Sequence, residues 1–212
     1  TNLQSLYYFW YRSYGRTGGP LPSFNANPEL RYIYMDLNAF TGTPPNLAAN
    51  TKIYSLDIRR NKLSGSIPAY KNLPNLKYIL LSGNQLTNIG TFENLPALRY
   101  LYIQDNQISG KIPDFSDCPR LQYVIGYNNN FTGYQTGSFA NLTSVRTIDF
   151  NNNENLSATA MNRIFKDLKT NWENANRGGV SVNLGQCKPP SDAVVEDEIA
   201  FLKSKGWSIT TA

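Results

Sequence analysis

Three tyrosines recur at nearly the same interval along the chain, and their side chains suit binding rather than catalysis. They are Tyr78, Tyr100 and Tyr123, so the steps are 22 and 23 residues. A tyrosine has a flat apolar body and a polar tip, and it loses little conformational entropy when held in place. If the three lie on neighbouring strands about 5 Å apart, they form one column of rings. Such a column predicts recognition of a sugar or of a protein partner.

Other tyrosines occupy related positions of the same repeat. The predicted ligand-binding tyrosines are Tyr32, Tyr34, Tyr78, Tyr100, Tyr102, Tyr123 and Tyr127. The alternative is that these rings only pack on one another, because aromatic cross-strand pairs stabilise sheets by roughly 0.2–1 kcal/mol each. The number of solvent-facing rings exceeds what sheet stability needs, and large exposed aromatic patches usually mark contact sites. Binding is therefore the favoured interpretation.

The position just before this column is basic in four of seven repeats. The four residues are Arg31, Lys77, Arg99 and Arg146. With Arg59 and Arg60 they predict attraction for an anionic glycan or an acidic protein patch. An equally good interpretation treats them as solvating charges, balanced by Asp36, Asp57, Asp105 and Asp149. Nucleic acid fits poorly, because acidic residues are interleaved with the basic ones and no nucleic-acid motif occurs.

The sequence contains few residues in arrangements that could support catalysis. There is no histidine, which removes the commonest general base and metal ligand, and there are only two cysteines. Asp57 and Asp149 lie four repeats apart, too far for paired acid and base work. No phosphate-binding loop or nucleophile elbow is present. We expect neither an enzyme nor a metal or cofactor site.

A regular asparagine step reveals the elements that position these residues. The asparagines are Asn38, Asn61, Asn84, Asn106, Asn129 and Asn153, at steps of 23, 23, 22, 23 and 24 residues. Each closes the frame apolar-x-x-apolar-x-apolar-x-x-Asn, which we place seven times, beginning at Leu3, Leu30, Ile53, Leu76, Leu98, Leu121 and Val145. A period in the twenties with this frame predicts a solenoid of stacked short strands, each with one face buried. The asparagines predict a structural ladder that bonds the backbone of neighbouring turns.

The second half of each repeat predicts a mostly aromatic spine under the convex side. Its members are Phe24, Leu47, Tyr70, Phe92, Phe115 and Phe139. Three residues after Phe115, Cys118 takes a position that is leucine in three other repeats. We expect Cys118 to be a buried small apolar residue rather than a reactive thiol.

These motifs resemble the leucine-rich repeat family. The turns Gly65-Ser66-Ile67-Pro68 and Gly110-Lys111-Ile112-Pro113 are similar to those of its plant-type subclass. The resemblance covers about residues 1–156 and implies an α/β-type solenoid, with about seven short parallel strands on a concave face that serves as the binding surface. The chain lacks the paired-cysteine caps usual in plant extracellular members. The first repeat also departs from the pattern at Tyr11 and Ser13.

After residue 156 the period stops, and the sequence predicts a cap over residues 157–212. Met161, Ile164, Phe165, Leu168 and Trp172 fall on one face of a helix. Val180, Val182 and Leu184 predict a strand. Ser191 is placed to cap a second helix that ends at Gly206, and Trp207 and Ile209 predict a last strand. This ending is similar to caps of bacterial and bacteriophage leucine-rich repeat proteins.

The sequence therefore predicts a non-enzymatic binding module at an extracellular or virion surface. The favoured role is an adhesin of a phage tail or bacterial surface that recognises a host protein or glycan. One alternative is a structural or decoration subunit of a larger assembly, and another is a plant-type extracellular receptor or inhibitor ectodomain. No apolar stretch is long enough to span a membrane. We expect another chain or an upstream segment to cover the N-terminal end at Leu3, Leu6, Phe9 and Trp10.

Overall fold

A computed structural model of the protein describes residues 6–15, 18–176, 178–190 and 193–211. Short strands follow one another along most of the chain, and two helices lie near its C-terminal end. The elements in chain order are β1 Tyr8–Trp10, β2 Gly18–Pro20, β3 Tyr32–Tyr34, β4 Ala39–Thr41, β5 Ser55–Asp57, β6 Ser64–Ile67, β7 Tyr70–Lys71, β8 Tyr78–Leu80, β9 Gln85–Ile89, β10 Phe92–Glu93, β11 Tyr100–Tyr102, β12 Ser109–Ile112, β13 Tyr123–Ile125, β14 Asn130–Tyr134, β15 Thr147–Asp149, α1 Ala158–Ala175, β16 Ser181–Leu184, α2 Ala193–Ser204 and β17 Ser208–Thr211.

One parallel sheet of nine strands forms the concave face. Its order is β1-β3-β5-β8-β11-β13-β15-β16-β17, so each repeat adds one strand beside the strand of the repeat before it. Four two-stranded sheets pair the second arms of neighbouring repeats. The predicted leucine-rich repeat solenoid is confirmed, and the strands of the C-terminal cap continue the same sheet.

The core lies between the concave sheet and the convex side. The first, second and third apolar positions of each repeat point inward, as Ile53, Leu56 and Ile58 do with no exposed surface. At Gly126 the third position has no side chain, and the ring of Phe150 fills the space: a Cβ there would lie 2.5 Å from Phe150 Cε1. A large side chain in one repeat therefore fills the space left by a missing side chain in its neighbour, and the core stays densely packed.

The predicted aromatic spine is present. All six members are buried: Phe24, Leu47, Tyr70, Phe92, Phe115 and Phe139. Rings of successive turns lie against each other, with centroids 5.5 Å apart for Phe92 and Phe115 and 6.2 Å apart for Phe115 and Phe139. Cys118 is buried beside this spine, and burial raises the pKa of its thiol to about 12.

The asparagine ladder joins each turn to the one before it. Asn61 is typical, since its Oδ1 accepts the Phe40 N–H at 3.0 Å and its Nδ2 donates to the Met35 and Ile58 carbonyls at 2.8 and 3.1 Å. The same pattern repeats at Asn84, Asn106, Asn129 and Asn153. One side chain thus satisfies backbone groups of two successive turns.

The first repeat is the place where the predicted register is wrong. β1 pairs with β3 through Tyr8 and Tyr32, Phe9 and Ile33. A frame that begins at Leu3 would instead set Leu6 opposite Ile33. The structure places Phe9 there, because its ring packs edge-on against Phe24 at 5.3 Å. The repeat is therefore shifted by three residues toward the C-terminus.

This shift changes what is exposed at the N-terminal edge. Leu6 and Phe9, predicted to need a covering partner, are partly buried against the solenoid core. Trp10 is 68% exposed and Tyr8 is 59% exposed. Leu3 lies outside the described residues.

The C-terminal cap has the predicted order of helix, strand, helix and strand. Ser157 accepts the Ala160 N–H at 3.2 Å and begins α1. The predicted helical face is buried at Met161, Ile164, Phe165 and Leu168 and half-buried at Trp172. The predicted cap Ser191 lies outside the described residues.

Hydrogen bonds fasten the first cap helix to the sixth repeat, which begins at Leu121. Asp167 of α1 accepts the Tyr134 hydroxyl and the Gly137 N–H, both at 2.6 Å. Asn171 donates to the Phe139 carbonyl at 2.8 Å. These contacts hold the helix over the end of the solenoid core.

Removal of one ladder asparagine should destabilise the fold. In Asn129→Ala, the Ile108 N–H and the Ile103 carbonyl lose partners at 2.9 and 3.0 Å. Buried unpaired polar groups cost about 1–3 kcal/mol each, so the free energy of unfolding should fall by at least that amount. Chemical denaturation measures it. Asn130→Ala is the control, since Asn130 is exposed and its change should stay within about 0.5 kcal/mol. Equal losses in both variants would contradict the ladder's role.

The raised pKa of Cys118 predicts an inert thiol in the native protein. A thiol must ionise to react, and at about pH 8 only a small fraction of Cys118 is thiolate. Cys187 is also buried and donates to the Phe150 carbonyl at 3.2 Å. We expect a disulfide reagent to label neither cysteine until denaturant unfolds the chain. Rapid labelling of the folded protein would refute the assignment of Cys118 to the core.

Candidate functional site

Six tyrosine rings form a continuous row across the concave face. In order along the solenoid they are Tyr8, Tyr32, Tyr54, Tyr78, Tyr100 and Tyr123. Neighbouring ring centroids lie between 4.4 and 5.6 Å apart. This spacing follows the separation of adjacent strands, which is about 4.8 Å. All members of the row except Tyr54 stand at the same position of strands paired in register.

Three of the rings are stacked almost face to face. Tyr78 and Tyr100 are inclined by 11°, and Tyr100 and Tyr123 by 5°. Tyr100 therefore has both faces covered, so a ligand reaches only its ring edge and its hydroxyl. The hydroxyls of Tyr100 and Tyr123 have no protein partner in the described part of the chain, and neither oxygen is buried. This part of the surface suits hydrogen bonding better than stacking on sugar faces.

The sequence prediction missed two members of the row. Tyr54 precedes the column position, which holds the buried Ser55, and its ring fills the gap between Tyr32 and Tyr78 at 5.4 and 5.6 Å. The only signal in the sequence was the order of residues: in this repeat a tyrosine precedes the small residue at the column position, whereas in the neighbouring repeats the tyrosine itself stands at that position. Tyr8 was missed because the first frame was placed three residues too early.

The remaining predicted tyrosines flank the row on one side. Tyr34 packs against Tyr32 with centroids 5.9 Å apart, and Tyr102 meets Tyr100 edge-on at 6.3 Å. Burial raises the pKa of the Tyr102 hydroxyl, with a smaller contribution from Tyr100, and keeps it protonated. Tyr102 thus offers a neutral phenol group rather than a phenolate.

A polar pocket of about 280 Å³ lies beyond this flank, at the carboxyl ends of the strands. Its walls include Arg59, Arg60, Gln104, Asp105 and Tyr127. The structure thus brings together two predicted site residues, Arg59 and Tyr127. The Oε1 atom of Gln104 is buried and has no hydrogen-bond partner in the described structure. A ligand donor would satisfy it.

Acidic side chains at this end of the strands already have partners. Asp57 accepts two hydrogen bonds from Arg59, at 2.8 and 2.6 Å, which raise the pKa of that guanidinium. Asp36 forms an ion pair with Arg12. Asp105 accepts from Asn128 at 2.6 Å. Arg59 is therefore charge-compensated within the protein.

The basic residues at the opposite ends of the strands are different. Lys77 donates to the Tyr54 hydroxyl at 3.1 Å, and its ammonium lies over the rings of Tyr54 and Tyr78. The bond to Tyr54 raises the pKa of Lys77 and keeps it charged. Arg31 lies over the Tyr7 ring at 5.4 Å. None of Arg31, Lys77, Arg99 and Arg146 forms an ion pair with a described carboxylate.

No arrangement for metal chemistry is found in residues 6–15, 18–176, 178–190 and 193–211. No three cysteine, aspartate or glutamate side chains there lie close enough to hold a metal ion. Neither described helix is long and apolar enough to cross a membrane. The chemistry that the concave face does offer is hydrogen bonding and charge.

Comparison with known proteins gives a family match over part of the chain and a fold match over most of it. Residues 51–108 match the family model "Leucine rich repeat". No curated protein matches the chain. The Arabidopsis receptor kinase HAESA, solved with the peptide hormone IDA and the co-receptor SERK1, is 24% identical with a TM-score of 0.66. That match covers 89% of this chain and 31% of that one.

Two other solved structures are similar in the same way. A TDR receptor is 20% identical, with a TM-score of 0.61 over 92% of this chain and 33% of that one. The plant peptide hormone receptor RGFR1, solved with RGF2, is 20% identical, with a TM-score of 0.53 over 92% of this chain and 34% of that one. This chain spans about a third of the length of each. Residues 51–108 carry the leucine-rich repeat pattern, and the chain as a whole has the leucine-rich repeat fold.

Proposed function

We propose that this chain is a non-enzymatic binding module that holds a protein or peptide ligand on its concave face. The observation that carries the proposal is the tyrosine row, with half-buried rings from Tyr32 to Tyr123 and solvent-accessible hydroxyls at Tyr100 and Tyr123. Half-buried rings are fixed by their neighbours, so a ligand finds donors and acceptors already in place. The row repeats about every 4.8 Å, which suits a ligand that runs along the solenoid.

The polar pocket beside the row also supports a ligand site on the concave face. Tyr127, Arg59 and the unsatisfied Gln104 oxygen provide polar contacts beyond one side of the row. Asp57 compensates the charge of Arg59, and the Gln104 oxygen needs only a neutral donor, so neutral groups of a ligand can hydrogen-bond on this side. Peptide backbone groups have that chemistry.

A protein or peptide ligand is a better match than a glycan. Tyr100 is stacked on both sides, by Tyr78 and by Tyr123, so both faces of its ring are closed to a sugar. The similar structures include receptors solved with peptide hormones, which supports a peptide ligand and an extracellular setting. The narrower adhesin and phage-tail assignments stay predictions, since no contact in the structure selects them.

Binding should depend on the tyrosine row. We would select ligands from a displayed random-peptide library on the immobilised full chain, then measure affinities by biolayer interferometry. Replacement of Tyr78, Tyr100 and Tyr123 by Ala together should weaken the selected ligands at least about tenfold, as expected when central aromatic contacts are truncated. Thermal unfolding checks that the variant is folded, because each lost ring pair also costs about 0.5–1.5 kcal/mol of stability.

Replacement of Tyr78, Tyr100 and Tyr123 by Phe together separates the contribution of the rings to binding from that of the hydroxyls. This variant keeps the stack and removes only the hydroxyls, so it should fold like the parent chain and still lose affinity. The control Tyr14→Ala changes an aromatic side chain that is 75% exposed and lies outside the row. Full binding by both triple variants would refute the concave-face proposal.

A further inference from the structure

Four basic side chains form a strip along one edge of the concave sheet. We define the basic strip as Arg31, Lys77, Arg99 and Arg146. Each directly precedes the first residue of its strand, in β3, β8, β11 and β15. Because these strands belong to one parallel sheet paired in register, the four side chains emerge along the same edge. Tyr54 and Gln122 occupy the two intermediate positions.

The charge of this strip is not neutralised by the protein. The five ion pairs of the described structure include none of its members. Glu29, close in sequence to Arg31, is held by Lys52 at 2.6 and 2.7 Å. No strip member forms an ion pair with the acids of the concave face. Those acids lie at the other ends of the strands, where Asp36 and Asp57 pair with Arg12 and Arg59.

Contacts within the protein account for only part of the strip. Lys77 donates to the Tyr54 hydroxyl, and Lys77 and Arg31 lie over tyrosine rings. Lys77 and Arg99 stand at the same position of adjacent strands, and the Arg99 N–H bonds the Lys77 carbonyl. The aromatic contacts of Lys77 do not cancel its charge.

We infer that the ligand of the concave face is an extended acidic peptide segment, with carboxylates on the basic strip and backbone groups on the adjacent tyrosine row. This inference rests on the proposed function and adds the ligand's charge and direction. From Arg31 to Arg146 there are five strand steps, or about 24 Å, which about seven extended residues span. The segment runs across the strands, along the solenoid axis.

An acidic peptide is favoured over an acidic glycan by the neighbouring row. Both faces of Tyr100 are covered, so its ring edge and hydroxyl are what it offers beside the strip. Phenol hydroxyls donate to carboxylate and carbonyl oxygens and accept from backbone N–H groups. All three groups occur together in an acidic peptide.

The test compares ligand selection on matched charge variants of the full chain. The strip variant is Lys77→Glu with Arg99→Glu. Its control is Arg163→Glu with Lys203→Glu, which changes net charge equally at exposed positions of α1 and α2. Peptides selected from a random library on the parent chain should be rich in Asp and Glu. They should bind the strip variant at least about tenfold more weakly and the control unchanged, with affinity that falls as salt rises.

Different outcomes separate the charge inference from the proposed function. Neutral selected peptides that still require the tyrosine row would overturn the acidic ligand and leave the proposed function intact. Failure to select any peptide, or selection of peptides indifferent to the row, would overturn both. A heparin oligosaccharide serves as the second probe. If it binds through the strip while no peptide is selected, the occupant is an acidic glycan and the peptide inference is wrong.

Discussion

The hydrogen bonds between successive turns are the constraint on which the rest of this structure depends. In each repeat, the concave sheet links only about three residues to the next turn, and the chain then turns away from that sheet. The asparagine side chain extends that link past the strand, because it accepts from one turn and donates to two. Each turn is thereby held at strand spacing over its neighbour, and equivalent residues of different repeats come to lie in columns.

Because equivalent residues lie in columns, a residue type that recurs at one position of the repeat produces a continuous feature on the surface. A tyrosine repeated at one position becomes a stack, since the step of the sheet is close to the contact distance of two rings. A basic residue repeated at the neighbouring position becomes a charged strip. Neither is required by the core, which is filled from the other side by residues such as Leu56 and Ile79. The solenoid therefore separates the residues that fold the chain from those that are free to bind.

The sequence predicted the columns well because periodicity alone determines them. The sequence predicted less well those positions at which the shape of a side chain decides which residue fills the space. Tyr54 entered the row from a neighbouring column, because its ring leans over the small Ser55. The first repeat lacks the asparagine that sets the register elsewhere, and the packing of Phe9 on Phe24 decided it instead. The pairing of Arg12 with Asp36 joins residues of different turns, which spacing alone does not reveal.

The distribution of charge is the strongest reason to regard the concave face as functional. A fold that only needed stability would pair its charges, as it does for Asp57 and Arg59 at one edge of the sheet. At the other edge, Lys77 and Arg99 stand opposite each other without a carboxylate in contact. An acidic ligand would supply the counter-charges that the described part of the protein does not. The same register that builds the solenoid thus places these basic residues in one line beside the tyrosine row.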